Sequence, residues 1–171
     1  VQKKNISFSN IIINKKKNDK KYITLSLGGR HVKKKWDVEN WKILIKKILS
    51  KFPKIQIKIV GSNSEKKTSN LITKIDKSKI INLCGKTNIY QLFEIIKNSN
   101  FHISHDDGTM HIASLFKRKG IAIFGITSEK GRWYPTNIKQ KIFYPKKNIN
   151  EIKPEKIFKK FISTYHFSNN L

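Results

Sequence analysis

From Tyr22 onward, apolar residues fall into regular periods. Tyr22-Ile23-Thr24-Leu25-Ser26-Leu27 alternates and stops at Gly28-Gly29, which predicts a strand closed by a tight turn. The period then lengthens. Val38, Trp41, Leu44, Ile45, Ile48 and Leu49 share one helical face, with Lys42, Lys46 and Lys47 mostly off it. A helix to about Ser50 is expected, capped by Asp37 and stopped before Pro53. The two periods keep trading places. Strands are expected at 55–60, 79–83, 101–104, 120–125 and 141–144. Helices are expected at 64–76, after an Asn88/Gln91 capping box, and from Asp107 or Gly108. A last helix carries Pro154 in its first turn and Ile157, Phe158, Phe161, Ile162 and Tyr165 on one face.

Strand–helix alternation from 21 to about 165 predicts an α/β fold, a parallel sheet with helices on both faces. Residues 1–20 read as a linker or lead-in, 21–166 as one domain and 167–171 as a tail. Ligands of such sheets bind beyond the carboxyl ends of the strands. Three loops at that edge carry unusual residues: 28–36, 61–65 and 104–111.

Composition changes the picture little. The formal net charge is +26, but only three of the 37 basic residues are Arg. The chain also holds 29 Ile and 16 Asn, and Lys, Ile and Asn codons all rise together in an A/T-rich genome. A nucleic-acid reader favours Arg, whose planar fork suits phosphates and guanine edges. The charge therefore implies diffuse, salt-dependent attraction to polyanions and no sequence-specific nucleic-acid binding. The single cysteine, Cys84, points to a reducing, cytoplasmic setting and reads as a small packing residue. No apolar run approaches the roughly 18 residues of a membrane span, and residues 1–20 carry no secretory signal. A first residue other than Met fits a processed or truncated product.

The loops supply the candidate chemistry. In 28–36, Gly28 and Gly29 would let backbone amides approach an anion, and Lys33, Lys34 and Lys35 add point charge. The alternative is an ordinary strand-to-helix turn with solvated lysines. In 104–111, a helix opening at Asp107-Gly108 would aim free N–H groups and its dipole at the sheet edge, as pyrophosphate requires. There the alternative is that Asp107 simply caps the helix, with His111 a satisfied first-turn histidine. His102, His105, Asp106 and His111 do not make a metal site: His102 and His105 point to opposite faces of a strand. Nothing supports nucleophilic catalysis, since G-x-S-x-G is absent.

Several stretches in order together resemble the carboxyl-terminal half of the family 9 glycosyltransferases, which include bacterial lipopolysaccharide heptosyltransferases. Gly28-Gly29-Arg30, then Lys34-Lys35-Trp36 and Trp41, is similar to that family's Gly-x-Arg … Lys-x-Trp segment. Asn82-Leu83-Cys84-Gly85-Lys86-Thr87 resembles its Leu-x-Gly-x-Thr stretch, and Asp106-Asp107-Gly108-Thr109-Met110-His111-Ile112-Ala113 its Asp-Ser/Thr-Gly-x-x-His-x-Ala signature. Phe124-Gly125-Ile126-Thr127 resembles the Phe-Gly-Pro-Thr that follows.

The resemblance implies a Rossmann-like domain forming half of a GT-B fold, and an enzyme that takes a nucleotide sugar, of the ADP-heptose type, without cofactor or metal. It implies donor-phosphate contacts at Gly29, Arg30, Lys34, Asp107, Gly108, Thr109 and His111, a donor-sugar contact at Asp106, and a ribose contact at Glu65. The acceptor would be lipopolysaccharide core or a related glycan at the inner membrane face, where lysines meet anionic lipid. Acceptor site and catalytic base belong to the family's other half, so no catalytic residue is named. Asp107 stands where the family has Ser or Thr, and Ile126 replaces Pro. The competing reading from a different class is a non-enzymatic basic module for nucleic acid or anionic surfaces, supported by charge alone.

Overall fold

The structure, a computed structural model, describes residues 21–28, 35–129, 131–137 and 139–165. Six strands, β1 (Tyr22–Ser26), β2 (Gln56–Val60), β3 (Ile80–Asn82), β4 (Phe101–His105), β5 (Gly120–Ile123) and β6 (Gln140–Phe143), form one sheet. Every strand pair is parallel, and the order is β3-β2-β1-β4-β5-β6. This is the Rossmann-like, doubly wound arrangement, with its topological switch point between β1 and β4.

The helices are α1 (Val38–Lys51), α2 (Lys66–Thr73), α3 (Ile89–Lys97), α4 (Gly108–Leu115) and α5 (Pro154–Tyr165). Strand alternation gives the sheet two chemically different faces. Ile23, Leu25, Ile57, Ile59, Phe101, Ile103, Ile121 and Ile123 pack with α1, α5 and Ile72 of α2 in the main core. On α1, Trp41, Leu44, Ile45, Ile48 and Leu49 are buried as the period predicts, each contributing roughly 1.5–3 kcal/mol. The opposite face carries Thr24, Ser26, His102 and Ser104, all buried, and a small cluster ties Ala113 of α4 to Ile96 of α3.

Two local expectations change. Asp37 occupies the α1 N-cap but makes no side-chain cap bond; its own N–H instead donates to Asn150 Oδ1 at 3.0 Å. The helix expected at 64–76 is shorter, a 3-10 turn at Asn63–Glu65 leading into α2. The expected Asn88/Gln91 capping box forms, and along α3 Ile96 is fully buried while Ile89 is 53% exposed. Cys84 is a buried free thiol beside Ser69 Oγ (3.1 Å), and burial pushes its pKa up, which leaves it a poor nucleophile. No helix among the described residues is long and apolar enough to cross a membrane.

Candidate functional site

Side chains join β1 to β4 at the switch point. The hydroxyl of Ser26 donates to Asp107 Oδ2 at 2.6 Å. One turn away, His105 spans the chain on either side of 29–34. The Trp36 N–H donates to Nε2 at 3.0 Å, so Nε2 carries no proton, and Nδ1–H donates to the Gly28 carbonyl at 2.6 Å. The imidazole is therefore neutral. Burial lowers its pKa to about 4, with the Gly28 bond opposing and the charge of Lys35 reinforcing that shift. Trp36 is fixed further by its indole N–H, which donates to the Ile152 carbonyl at 2.8 Å, and by edge-on packing against Trp41 at 5.2 Å.

A second buried chain of donors runs beneath the turn. Asp107 Oδ1 accepts the Thr109 N–H (2.8 Å), the Thr109 hydroxyl (2.6 Å) and the Met110 N–H (3.2 Å). Thr109 Oγ1, having given its proton, accepts from His102 Nε2 at 3.0 Å, and His102 Nδ1 accepts from Thr24 Oγ1 at 2.9 Å. Burial holds His102 at a pKa of about 3. All of Asp107's partners donate, the pattern of an ionised carboxylate, while burial works against them and pushes its pKa up.

Asp107 thus caps α4 with an inward-turned side chain. Thr109 is buried, with amide and hydroxyl both directed at Asp107. What α4 presents outward is Gly108, where an added Cβ would meet no heavy atom within 4 Å, and His111 on its exposed first turn. Asp106 diverges from its neighbour and accepts the Ser128 hydroxyl at 2.6 Å through Oδ2. Gly29, Arg30 and Lys34 lie outside the described residues.

Glu65 lies against the end of β1. A Cβ on Gly28 would come within 2.8 Å of the Glu65 carboxyl carbon, so any side chain there would push the Glu65 carboxylate aside. The carboxylate accepts Ser62 N–H (2.7 Å), Ser62 Oγ–H (2.5 Å) and Ser64 Oγ–H (2.5 Å), completing a capping box. Burial acts to raise its pKa, but the Ser62 and Ser64 bonds and the charge of Lys35 outweigh it and hold the group low. Glu65 borders a cleft of about 620 Å³ whose other walls include Leu27, Lys35, Thr68, Ile126 and Lys147. Asp106, Gly108 and His111 are not among its lining residues. Among the described residues, no group of three or more His, Cys, Asp or Glu is placed to hold a metal ion.

The structure therefore adds Ser26 and Ser128 to the residues expected at this edge, and gives Lys35 and His105 of the expected loops their contacts. Lys35 and His105 carried a signal, as a charge in a glycine-led loop and as a polar residue at the end of a buried strand; the two serines carried none. The Glu65 box was also legible, since Ser62-Asn63-Ser64-Glu65 has capping-box spacing.

The sequence profile described as glycosyltransferase family 9 (heptosyltransferase) matches residues 3–162. Lipooligosaccharide heptosyltransferase 2 of Campylobacter jejuni serotype O:6 is 34% identical over 130 residues, which is 72% of this chain and 40% of that protein. Among solved structures, the Escherichia coli ADP-heptose lps heptosyltransferase II superposes with a TM-score of 0.79 at 19% identity, covering 87% of this chain and 47% of that one. The E. coli heptosyltransferase WaaC with ADP gives a TM-score of 0.75 at 18% identity, over 85% and 44% of the two chains. The chain thus spans less than half the length of each of these proteins.

Proposed function

Because the chain belongs to glycosyltransferase family 9, we propose that it is the carboxyl-terminal, donor-binding half of an enzyme that moves a heptose from ADP-heptose to lipopolysaccharide core or a related glycan. The observation that supports this reading is the switch-point edge, where β1 and β4 set Gly28 beside the residues that open α4, with Glu65 packed against Gly28 from the end of β2. In this reading the Gly108 amide and the α4 dipole bind the pyrophosphate, helped by Gly29, Arg30, Lys34 and His111. Asp106 accepts from donor-sugar hydroxyls, and Glu65 accepts from the ribose.

Transfer proceeds with inversion and without a metal. The glycosidic oxygen of the donor leaves with the pyrophosphate, and fixed positive groups stabilise the charge that develops there. The proton of the attacking hydroxyl goes to a base on the acceptor half, outside this sequence. The enzyme works at the inner face of the cytoplasmic membrane, where surface lysines meet anionic lipid.

The test is calorimetry followed by a transfer assay. The 171-residue chain should bind ADP and ADP-heptose and transfer nothing to lipopolysaccharide core. Fusion to a family 9 amino-terminal half should restore transfer. Absence of binding to either ligand would remove the donor-site reading, and robust transfer by the chain alone would place the base within it.

A further inference from the structure

Asp106 and Asp107 are adjacent carboxylates with opposite environments, and the difference has a structural cause. Asp107 turns inward to Ser26 and the α4 amides. Asp106 is held from elsewhere in the fold, through Ser128, which is 3% exposed. Ser128 is itself fixed along its backbone. Its N–H donates to the Gly125 carbonyl at 3.1 Å, and its carbonyl accepts the Tyr144 hydroxyl, which also reaches the Ile126 carbonyl at 3.1 Å. Tyr144 follows β6 and stacks on Phe124, which follows β5.

A rigid line of contacts thus runs from the end of β6, through the segment after β5, to the residue after β4. We propose that Ser128 is a positioning residue for the donor sugar: its hydroxyl turns the Asp106 carboxylate away from Asp107 and fixes the direction of its acceptor lone pairs, with Tyr144 as its backing. This rests on the reading of Asp106 as the donor-sugar contact. The physical argument is one of preorganisation. Two like charges on neighbouring residues repel, and a carboxylate with a rotating χ2 spends binding energy on becoming ordered. A serine hydroxyl donating at 2.6 Å removes that rotation before the ligand arrives. Because Ser128 touches Asp106 and not the α4 amides, its effect should fall on the sugar and spare the nucleotide.

The experiment measures dissociation constants of ADP and of ADP-heptose for the 171-residue chain and four variants. Ser128→Ala removes the hydroxyl but keeps the Tyr144–Ser128 carbonyl bond, so the segment keeps its backing. Its affinity for ADP-heptose should fall roughly five- to tenfold, less than the full value of a charge-assisted hydrogen bond because the bond lost is to Asp106 and not to the ligand, with ADP changed less than about twofold. Ser128→Thr, which keeps the hydroxyl, should restore the wild-type ratio of the two constants. Tyr144→Phe should shift the ratio in the same direction as Ser128→Ala, but less. Equal losses for both ligands, or failure of Ser128→Thr to recover the ratio, would overturn the proposal and make Ser128 a purely structural residue. Asp106→Asn separates the two levels. If it leaves the ratio unmoved, the reading of Asp106 as a sugar contact fails, and the role of Ser128 falls with it. If Asp106→Asn moves the ratio and Ser128→Ala does not, only the role of Ser128 falls.

Discussion

The Trp36 amide donates to His105 Nε2 at 3.0 Å across 69 residues of sequence, and the other ring nitrogen meets the Gly28 carbonyl. One neutral imidazole therefore joins two points of the chain that bracket residues 29–34. His105→Ala would leave a buried amide and a buried carbonyl without this partner and open a cavity beside Trp41, which packs edge-on to the ring at 5.4 Å. A loss of about 3–5 kcal/mol is expected by urea denaturation, from two orphaned polar groups plus the void. A loss below about 1 kcal/mol would mean that water or a shifted backbone replaces the ring.

Acid should destabilise the protein before its carboxylates titrate. His102 and His105 have folded pKa values of about 3 and about 4, below the ordinary 6.5. As pH falls below that ordinary value, the unfolded chain takes up protons at both positions and the folded chain does not, so stability declines. The slope is up to about 1.4 kcal/mol per pH unit for each histidine. Asp107 opposes this, because its raised pKa favours proton uptake by the folded form. Glu65, held low, adds its own loss only at more acid pH. Denaturation midpoints measured between pH 7 and 5 should fall steadily, and His102→Gln should flatten the profile. An unchanged slope in that variant would show that His102 titrates alike in both states.

Asp107→Asn should preserve the helix cap while removing a negative charge, since Asn caps as well as Asp. The amides of Thr109 and Met110 keep an acceptor, and Ser26 can reverse its hydroxyl. With the charge gone from the α4 N-terminus, ADP affinity should rise by roughly 1 kcal/mol, more at low salt than at high. Weaker binding at every ionic strength would show that the charge of Asp107 is not felt by the phosphates.

Lys34→Ala should cost roughly 1–3 kcal/mol of ADP affinity, the scale of a charge-assisted phosphate contact. Calorimetry showing unchanged affinity would exclude Lys34 from the site.

The fold was legible because two periods, two and 3.6, alternate with clear breaks at Gly28 and Pro53. All six strands lie where alternation or short buried runs placed them. The errors share one cause, which is that a local pattern reports which face is apolar but not what covers it. The helix expected at 64–76 has a helical period, yet its first residues fold into a 3-10 turn whose Glu65 carboxylate is held by Ser62 and Ser64. Asp37 sits at a cap position, but its amide is served by Asn150, more than a hundred residues away. Ser26 and Ser128 were invisible for the same reason. A serine announces nothing until tertiary structure sets a carboxylate beside it.

The order of strands also has a consequence for how the chain acquires its site during synthesis. Thr24 pairs with His102, and every intervening element must be made before β1 gains that neighbour. Until residue 101 or so has left the ribosome, β1 can pair only with β2, and its other margin is an open, adhesive edge. The ligand edge thus cannot exist on a nascent chain until β4 and the start of α4 have been made, and truncations that stop before Phe101 should aggregate instead of binding weakly.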